Sequence, residues 1–439
     1  MGELDYHNLA GIPPQERIEI FLQNAWHWGN LDIANAILDL APLISKANIY
    51  TACVCGDVDA VNSFLEGSPE LASEAGGPHN RTPIVYSTWS CYLSKKEGEI
   101  AHIIEKLISC GANPNSAWTN ENGTRESALY GCVEAKSLVV AEKLVAAKAD
   151  PNDGESLYHA CEKNSIELLD LLANGHLDPE DISYCIKHAM DFRWDDGIRW
   201  FLDKGADPNA VHPVAKETSL HWAVKRNCSV EIITDLINAG ADLNARTTTG
   251  QSAFLKIVGH TPLDFALRLG RKDVVTLLKA RGAKESVYSE YDQFVIGVVN
   301  SEDQDEVKNE KGMLGSLTEN DQNLISHVSQ MQNWGAVRKM IEIGWPIDGV
   351  GWMGATPLYW ALAFGETLMV QYLLQHGAST DEIGGYFKNP IHTVISCQWG
   401  KGGDWTGSLA CLLKHGLEIP SDVFPSGQSD LDGILRRYL

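Results

Sequence analysis

The sequence predicts an all-α repeat solenoid, built from helix-turn-helix units joined by β-hairpin loops. Three observations predict it: a glycine-centred turn that recurs along the chain, a helix-opening phrase that recurs in phase with it, and a Val-x-x-Leu-Leu rhythm between the two. A chain of 439 residues would ordinarily divide into two or more compact domains. A repeat array escapes that limit, because each unit packs only on its neighbours.

The turn is clearest at Gly111-Ala112-Asn113-Pro114-Asn115. It returns as Gly205-Ala206-Asp207-Pro208-Asn209 and as Gly240-Ala241-Asp242-Leu243-Asn244. A shortened copy stands at Ala149-Asp150-Pro151-Asn152, and Gly282-Ala283 and Gly377-Ala378 are eroded forms. Glycine readily takes the left-handed conformation that ends a helix. The Asx-Pro-Asx stretch after it is turn chemistry.

The opening phrase reads Thr218-Ser219-Leu220-His221-Trp222-Ala223, then Thr261-Pro262-Leu263-Asp264-Phe265-Ala266, then Thr356-Pro357-Leu358-Tyr359-Trp360-Ala361. Weaker copies start at Glu155 and Asn389. Thr or Ser accepts a hydrogen bond from a free N–H at the helix start. Proline fits the first turn, where its missing N–H costs nothing. Leu and Ala recur at helical spacing and face the next unit. The second helix, as in Val274-Val275-Thr276-Leu277-Leu278, runs on to the glycine.

These in-phase phrases resemble the ankyrin-repeat family over nearly the whole chain, with roughly eleven units of ~33 residues between about Phe21 and Pro420. Units near 182–210 and 289–311 are degenerate. Residues 57–83, 150–160 and 291–391 further resemble a bacterial family of all-ankyrin proteins. That likeness implies the architecture and a bacterial, cytoplasmic origin, and supplies neither an activity nor site residues. The expected organisation is an N-terminal cap (1–20), a first stack (21–284), an acidic degenerate repeat or junction (285–320), a second stack (321–420) and a C-terminal cap (421–439).

Composition narrows the function. A net charge of −23 argues against duplex nucleic acid as the main ligand, because phosphate binding needs a positive surface. It permits a basic protein partner. No apolar run reaches the ~18 residues of a membrane helix, and the polar, acidic start lacks the pattern of a secretion signal. The ten scattered cysteines fit buried reduced thiols better than a disulfide framework. A monomer is expected.

Charge is uneven along the chain. Residues 218–284 sum to +5, and residues 285–321 to −8. Adjacent repeats can neutralise each other, or the positive segment can form a groove for an acidic partner. Within the acidic segment, Tyr291 to Val299 carries apolar residues that a helix could bury.

Candidate chemistry is sparse. Gly349-Val350-Gly351-Trp352-Met353-Gly354 is a formal G-x-G-x-x-G, but the preceding Trp345-Pro346-Ile347-Asp348 reads as a repeat turn rather than a buried strand. The Gly400–Gly407 stretch lacks the spacing of a phosphate loop. The fourteen histidines include no convincing metal spacing. His159, His221 and His392 fall in the repeat phrase and read as structural. No catalytic, cofactor or metal residues are expected, and the protein is read as a non-enzyme. The alternatives are an active site in the inserted loops 78–97 or 398–407, or an acidic decoy that imitates nucleic acid.

The resemblance to ankyrin proteins implies that a protein partner binds on the concave face. Positions just after the alanine of the phrase point there. The candidate contacts are Trp28, Trp89, Phe192, Lys225, Arg226, Arg268 and Phe364, with Trp352 and Met353 from the hairpin before Thr356; Glu162 and Lys163 occupy the same register. Trp352, Met353 and Phe364 are the sharpest cluster, since a conventional repeat leaves them near solvent.

Overall fold

A computed structural model describes residues 9, 11–248, 259–301, 311–399 and 402–439. By backbone packing the chain forms two units, Met1–Asp207 and Pro208–Leu439. Both are stacks of antiparallel helix pairs. The first holds six pairs, from Pro14–Asn24 with Leu31–Leu40 to Pro179–Asp191 with Asp195–Asp203. The second holds five among its described residues, from Ser219–Lys225 with Val230–Asn238 to Pro390–Ser396 with Trp405–Lys414.

The opening phrase builds helix starts as its residues dictate. Ser127 accepts from the Tyr130 amide, and Thr356 from that of Tyr359. Thr261 and Asp264 form a reciprocal capping box. Such a cap is worth ~1 kcal/mol. The helices end at Gly111, Gly205, Gly240, Gly282 and Gly377, where φ lies between 85° and 97°. A side chain at any of the five would meet nothing within 4 Å. Glycine is therefore required by backbone conformation and not by space.

Successive first helices pack side by side, as Pro83–Thr88 does on Ala128–Glu134, and that helix on Ser156–Ala160. Their second helices do the same. Leu129, Cys132 and Val133 from one layer, and Ile104, Leu107, Val140 and Leu144 from the other, are buried. Each such side chain contributes roughly 1.5–3 kcal/mol. One hairpin pairs strands Ala117–Thr119 and Arg125–Ser127, with Trp118 opposite Glu126.

Within the acidic segment, helix Glu290–Asn300 buries Phe294, Val295, Val298 and Val299. Residues 302–310 of that segment, and 249–258 of the positive one, lie outside the described residues. The cysteines among the described residues are free thiols, and burial pushes Cys53 up to about 12. No described helix is long and apolar enough to cross a membrane.

Candidate functional site

The first helices share a register. Counting from the cap residue, positions four and seven lie on one helix face, three residues apart. In the first unit these are Tyr86 and Trp89 after Thr82, Gly131 and Glu134 after Ser127, and His159 and Glu162 after Glu155. In the second they are Trp222 and Lys225, Phe265 and Arg268, His327 and Gln330, and Trp360 and Ala363.

In the first unit this face is aromatic at one end. Trp28 is 55% exposed and packs 4.8 Å from Trp89, which is 1% exposed. Trp26 stacks on Trp89 at 5.9 Å, and the Arg81 guanidinium lies 3.8 Å from the ring centre of Trp118. The Trp89 indole N–H donates to the Ser127 carbonyl at 3.0 Å. Gly131 makes room for it: a β-carbon there would lie 2.7 Å from the Thr88 carbonyl oxygen and 2.9 Å from the indole.

The face then turns acidic. The Tyr130 ring, 5.2 Å from Trp89, stacks on His159 at 4.7 Å. Around His159 stand Glu162 at 3.1 Å, Glu155 at 3.1 Å and Glu134 at 3.8 Å. Lys163 reaches Glu134 at 3.2 Å, and His27 approaches the other oxygen of that carboxylate at 3.6 Å. His188 lies 3.2 Å from Glu162 and 3.4 Å from Asp191, stacked on Tyr158. Phe192 closes the row against His188 at 5.1 Å.

Burial opposes charge on His159, but Glu162, Glu134 and Glu155 outweigh it and raise its pKa. His188 is raised in the same way by Asp191 and Glu162. Burial also opposes ionisation of Glu162, yet the two imidazoles draw its carboxyl down to about 2.

His159 corrects the sequence reading. His221 stands three residues after its cap, donates from Nε2 to the His260 carbonyl at 3.0 Å and faces Thr218 with Nδ1 at 2.8 Å. That is a structural histidine, held neutral by burial with its pKa down at about 4. His159 stands four residues after Glu155. One residue rotates a helix position by ~100°, which moves this imidazole from the cap to the open face. The one-residue offset in the phrase was the available signal.

In the second unit the register is cationic and largely covered. Lys225 is buried against the Glu217 carboxylate and lies 4.1 Å from the Trp222 ring centre. Arg268 is buried between Asp292 at 2.6 Å and Asp321 at 2.8 Å. Both carboxylates come from the acidic segment, and Lys279 pairs with Glu285. For Arg268 and Lys279, charge is thus neutralised between adjacent elements. Arg226 is buried, with its guanidinium 4.1 Å over Trp352. His327 is enclosed nearby, and burial, with Arg226 and Lys225, brings it down to about 3.

The expected contact residues therefore part company. Trp89, Lys225, Arg226, Arg268 and Phe364 are buried; Phe192, Trp352 and Met353 are half-buried, and Trp28 is exposed. Phe364 stacks on Trp360 at 6.0 Å, and Trp352 packs against Trp360 and Trp399 at 6.3 and 6.0 Å. Phe364, stacked on Trp360 one helical turn earlier, is thus removed from solvent, against expectation. Gly349–Gly354 runs into a tight turn in which Met353 takes φ 57°. In the last loop, residues 400 and 401 lie outside the described residues, and Asp404 caps the following helix by accepting from the Gly407 amide at 2.8 Å.

Comparison with known proteins agrees with this fold. Residues 187–288 match a family model described as ankyrin repeats in three copies, and residues 353–384 match that of a single ankyrin repeat. No curated protein matches the sequence. Among solved structures, the chain is similar to the ankyrin repeat domain of Bcl-3, a member of the IkappaB family. That likeness has 21% identity and TM-score 0.38, covering 47% of this chain and 91% of that one. It is also similar to the human ASB11 ankyrin repeat domain, at 19% identity and TM-score 0.25, covering 58% and 97%. The repeats in both units thus have the ankyrin fold, and ankyrin repeats are in general protein-interaction modules.

Proposed function

We propose that the protein is a non-catalytic binding module that holds a protein partner along the concave face carried by its first helices. In the first unit this face suits a basic segment. The observation that carries the reading is the row Glu134, Glu155, Glu162 and Asp191, each partly accessible, beside the exposed Trp28. Lys163 and imidazoles whose charge depends on pH face these carboxylates. A Lys or Arg side chain from a partner gains both carboxylate pairing and an aromatic surface. Aromatic anchors of this kind dominate interface energies. In the second unit, Lys225, Arg226 and Arg268 are buried.

Peptide-library selection against the full-length chain tests this. The selected peptides are expected to be rich in Lys and Arg. Their binding should weaken at least ~10-fold in Trp28→Ala and in Glu134→Gln/Glu162→Gln, a loss of ~1.4 kcal/mol. Selection without basic enrichment, or unchanged binding by folded variants, overturns it.

A further inference from the structure

Glu134, His159 and Glu162 come from two successive first helices, and each offers one ligand atom within 4.8 Å of the others. The separations from His159 Nδ1 are 3.1 Å to Glu162 and 3.8 Å to Glu134. A tetrahedral zinc ion, with ligands at ~2.0–2.2 Å, sets its donor atoms ~3.3 Å apart. The two separations from Nδ1 thus lie near the edge length of such a tetrahedron, and the two carboxylates are within 4.8 Å of each other.

The state of His159 points the same way. Its Nε2 lies 3.1 Å from Glu155 Oε2, and an ionised carboxylate can only accept. Nε2 therefore carries the proton. In the neutral ring Nδ1 then holds a lone pair, and it faces the oxygens of Glu134 and Glu162, which also carry lone pairs. Nδ1 is buried and makes no hydrogen bond of acceptable geometry, despite the nearby oxygen. A cation at this point removes the conflict.

An outer shell is also in place. Metal-binding histidines usually donate their second ring N–H to a carboxylate, which fixes tautomer and orientation; Glu155 does this for His159. The Glu162 carboxylate is supported by His188, itself held by Asp191. Tyr130 stacked on His159 limits rotation of the ring. Lys163 works against the site, because its ammonium shares Glu134.

We infer that Glu134, His159 and Glu162 form a binding site for a divalent transition ion, zinc by its mixed imidazole and carboxylate donors, with Glu155 and His188 as positioning residues. Imidazole nitrogen with carboxylate oxygen suits zinc at neutral pH. Three protein ligands leave a fourth position for water. The site shares Glu134 and Glu162 with the partner reading above, but it needs neither Trp28 nor a second protein.

The test is calorimetric titration of the tag-free, full-length chain with zinc sulfate at pH 7.5. One zinc equivalent is expected to disappear in His159→Ala and in Glu162→Gln. Glu155→Gln keeps the ligands and should weaken binding ~10–100-fold, the usual cost of losing an outer-shell partner. Lys163→Met should tighten binding, the opposite of what a salt bridge that merely braces the fold predicts. Trp28→Ala should leave zinc binding unchanged, which separates failure of the partner surface from failure of this site. Circular dichroism confirms that each variant is folded. Equal zinc stoichiometry in the wild type and His159→Ala overturns the inference. So does a His159 ring resonance that titrates with protons and is unmoved by zinc, since the cation would then be a proton only.

Discussion

Seven residues after the cap, the first helices of the first unit present Glu134 and Glu162, and those of the second present Lys225 and Arg268. The positions are equivalent and their fates differ. Lys225 and Arg268 are buried against the carboxylates of Glu217, Asp292 and Asp321. Glu134 and Glu162 stay partly accessible and meet mainly imidazoles. A helix position thus sets where a charge points, while the partners that reach it decide whether it braces the fold or serves a ligand. The second unit has turned these two cations inward as structure. The first keeps its anions available.

The sharpest way to break this comparison is to remove a structural counter-charge. Glu217→Ala takes away the carboxylate that Lys225 faces in a buried setting. It is expected to cost ~3–5 kcal/mol, read by urea denaturation of the full chain. A cost below ~1 kcal/mol, the level of a surface pair, would show that the second unit's cations do not depend on burial with these acids.

Acidity should separate the two units next. His221 and His327 are held neutral, with values of about 4 and about 3, against ~6.5 unfolded. Their stability is present above pH ~6.5 and falls as pH drops from there toward 4, by an order of a few kcal/mol. His159 and His188 are raised instead. Their contribution is complete below pH ~6.5 and fades as pH climbs through their raised folded values. Hydrogen exchange followed by mass spectrometry from pH 8 to 4.5 should show helix Ser219–Lys225 loosening in acid. Helices Ser156–Ala160 and Pro179–Asp191 should tighten between pH 8 and 6.5. Parallel behaviour of the two sets would remove the distinction.

Smaller effects refine the first unit. Gly131→Ala drives a methyl against the Thr88 carbonyl and the Trp89 indole, for an expected ~1–3 kcal/mol of overpacking. Trp28→Ala should change stability by no more than ~0.5 kcal/mol, as an exposed site does. The same variant should lose partner binding. A large fall in melting temperature for Trp28→Ala would recast that tryptophan as structure.

Much of the architecture was legible in the residues. Thr261 with Asp264, Ser127 with the Tyr130 amide, and the left-handed glycines at 111, 205 and 240 all act within a few positions of themselves. The candidate site was less legible. Glu162 and Lys163 share the expected register, but Glu134, His188 and Asp191 enter from other repeats. His159 looked like His221 because the phrase was read by residue type, and its one-position offset carried the chemistry.

The sequence by itself determined the repeat phase, the helix starts and the helix stops. Those features rest on backbone dihedrals and on hydrogen bonds between residues three or four apart, which need no distant partner. Only the tertiary structure decided which charges and tryptophans remain available. Arg268 lies 53 positions from Asp321, and Trp352 lies well over a hundred from Arg226. Burial and pairing at such separations depend on how repeats stack, and no local pattern encodes that outcome.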